Sequence, residues 1–165
     1  MHRLLSPAWS CLTVILLSAL VSYAAEAPSN SLHQLFDREW EYQMSHNPVR
    51  ASLLGDRRYN DKWPDLSLPE MREEFQHARD VLTQLHAIPR AQLSPGDQLS
   101  YDVFDYNTSD FAEGEQYKWY LVRTGTFNGI QTVEGLVNSL RVETVKDYDD
   151  WLARMRSFPT YMDQN

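Results

Sequence analysis

The residues of this sequence that could bind a metal are its histidines and carboxylates. A zinc peptidase holds its metal with two histidines four residues apart on one helix face, and a glutamate beside the first activates water. No two histidines here are four residues apart, and none precedes a glutamate. We therefore expect surface or boundary positions for His33, His46, His77 and His86. The sequence predicts no metal site, no cofactor and no catalytic residue in this chain.

Other chemical signatures are incomplete. Asp105, Asn107 and Ser109 have the spacing that opens a calcium loop, but an aspartate replaces the turning glycine and Gln116 replaces the closing glutamate. There is no Gly-x-Ser-x-Gly nucleophile elbow and no glycine-rich phosphate loop. Carboxylates that could form acid–base pairs lie in charged helical segments, where solvated faces are expected. These are Glu73, Glu74, Asp147, Asp149 and Asp150.

The amino terminus has the pattern of an export signal. Residues 1–24 contain Arg3 near the start, an apolar run from Cys11 to Val21, and small residues at Ser22 and Ala24. We expect cleavage after Ala24, which leaves residues 25–165 as the mature chain. The protein is then predicted to be exported, either periplasmic or secreted.

Two alternatives to this signal are open. Ala27 also fits the small-residue rule, although Pro28 after the cut would hinder the peptidase. An uncleaved membrane anchor is the other, but the apolar run is about eleven residues, well short of the roughly 20 that cross a bilayer. We therefore expect no stable membrane span after signal cleavage.

Composition narrows the choice of partners. Cys11 is the only cysteine, so the mature chain must fold without disulfides, as is ordinary for a bacterial periplasmic protein. Residues 1–24 contain one arginine and no acidic residue, so their removal takes the formal net charge from −8 to −9. An acidic surface disfavours nucleic acid and anionic lipid as partners.

The first elements that must position a site are two helices separated by a proline. Apolar residues recur at steps of three and four before Asn47, which predicts a helix. They are Leu32, Leu35, Phe36, Trp40 and Met44. Pro48 lacks an amide hydrogen and disfavours helical geometry at Asn47, so a second helix should begin there. Gly55 is expected to end it in the left-handed conformation. Two aromatic residues in the polar loop Asp56 to Pro64 are expected to fix that loop to the fold.

Three later helices are predicted from their capping residues, Ser67, Ser94 and Thr144. The first helix has an apolar stripe at Met71, Phe75, Ala78, Leu82 and Leu85. The second should face inward with Leu99, Val103, Phe104 and Phe111, and the third has Val145, Tyr148, Trp151, Leu152 and Met155 at helical spacing. Between them, Lys118 to Val122 is interpreted as an extended connection and Ile130 to Leu140 as a short helix. The whole pattern predicts an all-α fold, an irregular bundle of about five to seven helices.

The stretch from Phe36 to Pro64 contains a long helix, a proline break, a short helix ending in Leu-Leu-Gly-Asp and an aromatic-bearing loop. This order resembles the amino-terminal signature of the domain-of-unknown-function 885 family. The similarity continues through Leu68 to Leu85, Leu99 to Phe111, Tyr120 to Thr132 and Thr144 to Met162.

This resemblance implies that residues 25–165 are the incomplete amino-terminal portion of a larger helical domain. Members of the family look like exported zinc-dependent peptidases, with a histidine and glutamate motif far toward the carboxyl end. The chain would be truncated before that metal motif, so zinc is expected only in a full-length relative. Its role would be that of a non-catalytic wall of the substrate cleft.

One loop is the candidate for contact with substrate. Gly125 and Gly129 predict a flexible turn, which approaches a ligand cleft or serves as a plain connector. Its candidate substrate-binding residues are Arg123, Thr124, Phe127, Asn128 and Gln131. The partner would be a peptide substrate, bound together with the missing carboxyl-terminal half.

The competing hypothesis is a complete small periplasmic module that binds a peptide or another protein. Its groove would be lined by Phe36, Trp40, Tyr101, Tyr106, Trp119 and Trp151, although aromatic residues at helical spacing also fit a core. Behaviour in solution separates the two hypotheses. A truncated wall exposes apolar surface and binds hydrophobic dye, whereas a complete module is monodisperse and melts cooperatively.

Overall fold

The computed structural model describes residues 27–122 and 133–164, and every regular element within these ranges is helical. The six α-helices found there are α1 (Pro28–His46), α2 (Pro48–Leu53), α3 (Leu68–His86), α4 (Pro95–Gly114), α5 (Val133–Ser139) and α6 (Val145–Asp163). Short 3₁₀ turns lie at Arg57–Tyr59, Arg90–Gln92, Glu115–Tyr117 and Trp119–Leu121. The predicted all-α irregular bundle of about five to seven helices is confirmed.

The predicted helix starts have the expected caps. The hydroxyl of Ser67 accepts a hydrogen bond from Glu70 N, and that of Ser94 accepts one from Asp97 N. Thr144 and Asp147 form a reciprocal capping box at the start of α6. Such caps satisfy amide hydrogens that the first helical turn leaves without partners, and each contributes roughly 1 kcal/mol.

The main core lies where α1 crosses α3 and α4. Its buried residues are Leu32, Leu35, Val81, Leu85, Ile88, Leu93 and Tyr101. Most of them recur at three- or four-residue steps along α1 and α3, so each helix presents one continuous apolar stripe to the other. Asp97, in the first turn of α4, adds a polar contact, because it accepts from Ser29 Oγ and lies 2.9 Å from the His33 ring.

A second packed region joins α2, the loop after it and α6. Gly55 has φ 87, the left-handed conformation predicted for the end of α2. Trp63, one of the two loop aromatics, stacks on Tyr161 with ring centres 4.6 Å apart and contacts Phe158 at 5.3 Å. Its indole nitrogen donates to Arg154 O. The loop is therefore fixed to α6, as the sequence predicted.

Arg154 is the polar centre of this region and has no solvent exposure. Its Nη2 atom donates to Tyr59 O at 2.8 Å, to Ser52 Oγ at 2.9 Å and to Pro48 O at 3.3 Å. The guanidinium also lies over the Trp63 ring. Burial lowers the pKa of Arg154 to about 10, because the charged form loses hydration. A single side chain thus ties α6 to α2 and to its loop.

Two sequence predictions are wrong in detail. Lys118 to Val122 is not extended: Lys118 has φ 55, and a 3₁₀ turn covers Trp119–Leu121. Leu99, Val103 and Phe111 of α4 do not face the core, since all three are exposed. The reason is that α4 carries two apolar faces, and Tyr101 on the other face is the one that fills the core.

The predicted signal segment, residues 1–24, lies outside the described residues. Among the helices that the structure describes, none is long and apolar enough to cross a membrane. The predicted short helix from Ile130 to Leu140 corresponds in its described part to α5. Pro159 does not end α6, which continues to Asp163.

Candidate functional site

A cleft of about 1240 Å³ lies between α1, α3, α4 and the Trp119–Leu121 turn. Its walls are mainly apolar, with Trp40 from α1, Leu99, Val103 and Phe111 from α4, and Trp119 from the turn. Leu99, Val103 and Phe111 recur at multiples of four residues, so they form one stripe along α4. Leu99 is 66% exposed and Val103 52%, which leaves both side chains accessible to a ligand.

Aromatic pairs separate the cleft from the core. The rings of Phe36 and Phe104 meet at 5.0 Å, and this pair packs against the core cluster. Phe75, itself buried, stacks on Phe111 at 4.9 Å and contacts Tyr120 at 5.4 Å. Such pairs contribute about 0.5–1.5 kcal/mol each beyond the area they bury. The floor of the cleft is therefore supported by the packing of α1 and α3 on α4.

One end of the cleft contains a stack of three polar rings. Tyr42 lies between His77, at 3.6 Å between ring centres, and His46, at 3.8 Å. His77 Nε2 is 2.9 Å from a carboxylate oxygen of Glu39, and His46 Nε2 is 3.7 Å from one of Glu70. The stack joins the carboxyl-terminal half of α1 to α3, because Tyr42 and His46 lie one turn apart on α1 and His77 meets them from α3.

Carboxylates from α1 and α3 surround the phenol of Tyr42. Burial raises the pKa of Tyr42 to about 12, and the charges of Glu74, Glu70, Glu39 and Glu73 contribute to the rise. The phenol therefore stays protonated at neutral pH and keeps its hydroxyl as a hydrogen-bond donor.

The four histidines in the described ranges each lie beside a carboxylate. His33 contacts Asp97, His46 approaches Glu70, His77 contacts Glu39 and His86 contacts Asp105. Within the part of the chain that the structure describes, no group of three or more such side chains is placed to hold a metal ion.

The candidate substrate-binding residues Arg123, Thr124, Phe127, Asn128 and Gln131 lie outside the described residues. Of the aromatic residues proposed for a groove, Phe36, Trp40 and Trp119 line the cleft, whereas Tyr101 belongs to the core and neither Tyr106 nor Trp151 lines the cleft. The sequence reasoning also missed the stack around Tyr42. The spacing of Glu39, Tyr42 and His46 places them on one helix face, which is the signal that could have found it.

Comparison with curated proteins and with solved structures gives no match. The model of one family, described as a bacterial protein of unknown function (DUF885), matches residues 48–165. The match begins at the first residue of α2 and includes α3, α4 and α6, so it spans most of the chain and two walls of the cleft. The chain therefore belongs to the bacterial domain-of-unknown-function 885 family.

Proposed function

We propose that this chain is a non-catalytic helical segment that forms the wall of a peptide-binding cleft in an exported protein. The observation that carries the proposal is the apolar cleft between α1, α3 and α4. In this proposal residues 1–24 are removed on export to the periplasm or the medium. The chain needs no metal or cofactor of its own for binding.

The cleft fits a peptide better than a compact small molecule. Its volume of about 1240 Å³ lies above the roughly 300–1,000 Å³ of ordinary small-ligand pockets. Exposed side chains along α4 repeat at four-residue intervals, so they offer several separate contacts for apolar side chains of one ligand. An aromatic residue from α1, Trp40, lies on the opposite wall.

The carboxylates around Tyr42 would determine which way a bound peptide runs along the cleft. Burial raises the pKa of Tyr42 and four carboxylates add to the rise; the charge of these carboxylates favours a positive group on a ligand. Two of them, Glu39 and Glu70, also contact histidines. We infer a peptide with apolar side chains along α4 and a basic residue near Tyr42.

The family resemblance gives this binding a role. The zinc-peptidase-like motif of longer members would perform hydrolysis, and the segment described here would hold the substrate beside it. The competing function, a stand-alone binding module, is favoured by one observation: α1, α3, α4 and the Trp119–Leu121 turn, which all belong to this chain, line the cleft. Both functions require that the cleft bind peptide.

Peptide binding is tested by fluorescence anisotropy with a dansyl-labelled peptide that alternates leucine and phenylalanine and ends in lysine. Replacing Leu99 and Val103 together by serine removes apolar contact area, so we expect affinity to fall at least about tenfold. Leu54→Ser is the matched control, because Leu54 is similarly exposed but does not line the cleft. A peptide ending in glutamate should bind more weakly. Absence of binding, or equal affinity for the serine variant, would refute the proposal.

A further inference from the structure

The exposed face of α6 has a regular apolar stripe. Val145 is 79% exposed, Tyr148 62%, Leu152 48% and Met155 43%, and their spacing of three, four and three residues is that of a coiled-coil seam. None of the four lines the cleft. Four large apolar side chains in one row on a helix surface are the pattern of a helix–helix contact.

The rest of α6 explains why this stripe points outward. Arg154 and Asp147 are buried on the side that faces α2 and its loop, and Trp63 packs against the same side. The stripe lies about a third of a turn away from that side, as 100° per residue requires. Helix α6 therefore has two separate faces: one packs against α2 and its loop, and the other carries the exposed apolar stripe.

Charges beside the stripe select an occupant. Asp149 and Arg156 lie along its open edge, both are exposed, and neither has an ion pair among the described residues. In a coiled-coil register that starts with Val145 at the first apolar position, Asp149 and Arg156 occupy equivalent positions one heptad apart. When two such helices run antiparallel, these positions face each other.

We propose that α6 pairs with α6 of a second copy of the chain in an antiparallel, two-fold symmetric contact. Leu152 of each copy packs against Tyr148 of the other, and Val145 packs against Met155. Asp149 then lies opposite Arg156 twice, because the two-fold axis repeats the pair. A parallel pairing would place Asp149 opposite Thr144 and Arg156 opposite Trp151 of the partner, so only the antiparallel arrangement brings the two opposite charges together.

The contact has a defined length. Pro159 falls on the next position of the stripe and lacks an amide hydrogen, so the pairing core ends at Met155. Three helical turns from each copy give a small interface, which is expected to be reversible and concentration-dependent. It leaves the cleft of each copy open, since the stripe and the cleft share no residue.

The test is sedimentation velocity of the exported chain from about 1 μM to about 1 mM. We expect a monomer–dimer equilibrium that Leu152→Asp abolishes and that the matched control Leu54→Asp leaves intact. Asp149→Arg and Arg156→Glu should each weaken the dimer at least about tenfold, and their combination should restore it. The double variant is decisive, because a loose apolar association would not be rescued by exchanging charges.

Three results would overturn the proposal: a monomer at every concentration, a dimer that Leu152→Asp does not change, or single charge variants that the double variant fails to rescue. The first would mean that the stripe is covered by another polypeptide. Peptide binding to the cleft is measured separately, so failure of this proposal is distinguishable from failure of the proposed function.

Discussion

The pKa of Tyr42 depends on the burial of its ring and on the charges of the carboxylates around it. Tyr42 is stacked between two histidines and surrounded by carboxylates from α1 and α3, so its ionisation is opposed by both burial and charge. The partners on α1 are close to Tyr42 in sequence, whereas those on α3 are not. Periodicity places Tyr42 on a helix, but only the packing of α3 against α1 determines which charges surround it.

Ultraviolet titration should therefore show one tyrosine that ionises near pH 12. Tyr42→Phe should remove this late step, whereas Tyr106→Phe, at an exposed position outside the cleft, should leave it unchanged. If Tyr42→Phe instead reduced the absorbance change near pH 10 and kept the late step, Tyr42 would not be the tyrosine that ionises last.

The same shift has a consequence for stability, and its sign follows from linkage. The folded pKa lies above the unfolded value of 10.0, so the contribution of Tyr42 is complete below pH 10 and is lost as pH rises toward 12. In denaturant titrations, the wild type should lose stability between these pH values more steeply than Tyr42→Phe.

At the scale of elements, α6 depends on Arg154. The side chain supplies donors to the carbonyl oxygens of Pro48 and Tyr59 and to the hydroxyl of Ser52, all from the region of α2 and its loop. A buried acceptor that loses its donor is still shielded from water, so the folded state is destabilised by the unmade hydrogen bond. This contact is therefore one of the polar contacts that fix where α6 docks.

Arg154→Met should lower the free energy of unfolding by about 2–4 kcal/mol, because the three acceptors lose a donor. Methionine is long enough to preserve some of the packing, so the change tests mainly the hydrogen bonds. Arg72→Met is the control: Arg72 is exposed on α3, donates to Leu68 O of its own helix, and should change stability by no more than about 0.5 kcal/mol. Both values come from urea unfolding at neutral pH. Equal effects of the two variants would show that the buried bonds contribute nothing.

The elements also show what sequence reasoning can and cannot supply. The starts at Ser67, Ser94 and Thr144 and the stop at Gly55 were predictable, because each depends on a few neighbouring residues. The direction in which an apolar stripe faces was not. Helical spacing is the same for a core face and an exposed face, so the sequence predicts a core position for Val103, whereas the residue lines the cleft.

In the described ranges, many large apolar side chains lie on the surface and do not contribute to the core. The cleft accounts for one group and the stripe of α6 for another. The candidate loop of Arg123 to Gln131 could not be compared with either, since it lies outside the described residues. What the sequence predicted of the site was thus its aromatic residues on α1 and near Trp119, and not its continuous wall on α4.

We expect the folded chain to bind a hydrophobic dye such as 8-anilinonaphthalene-1-sulfonate. Serine at Leu99 and Val103 should reduce the fluorescence, Leu54→Ser should leave it nearly unchanged, and the lysine-ending peptide should displace part of the dye. Thermal unfolding followed by circular dichroism shows whether the same sample melts cooperatively. A chain that melts cooperatively without binding dye would contradict the accessibility of the cleft and would count against a truncated wall.

The contacts of Asp97 bear on the order in which the chain takes shape. It binds Ser29 and His33, which precede it by 68 and 64 residues, whereas α3 and α4 are joined by a short connection. Synthesis begins at the amino terminus, so α1 emerges long before Asp97, the residue that anchors it. Because nearby segments pair sooner than distant ones, the hairpin of α3 and α4 should assemble first and serve as the template onto which α1 settles afterwards.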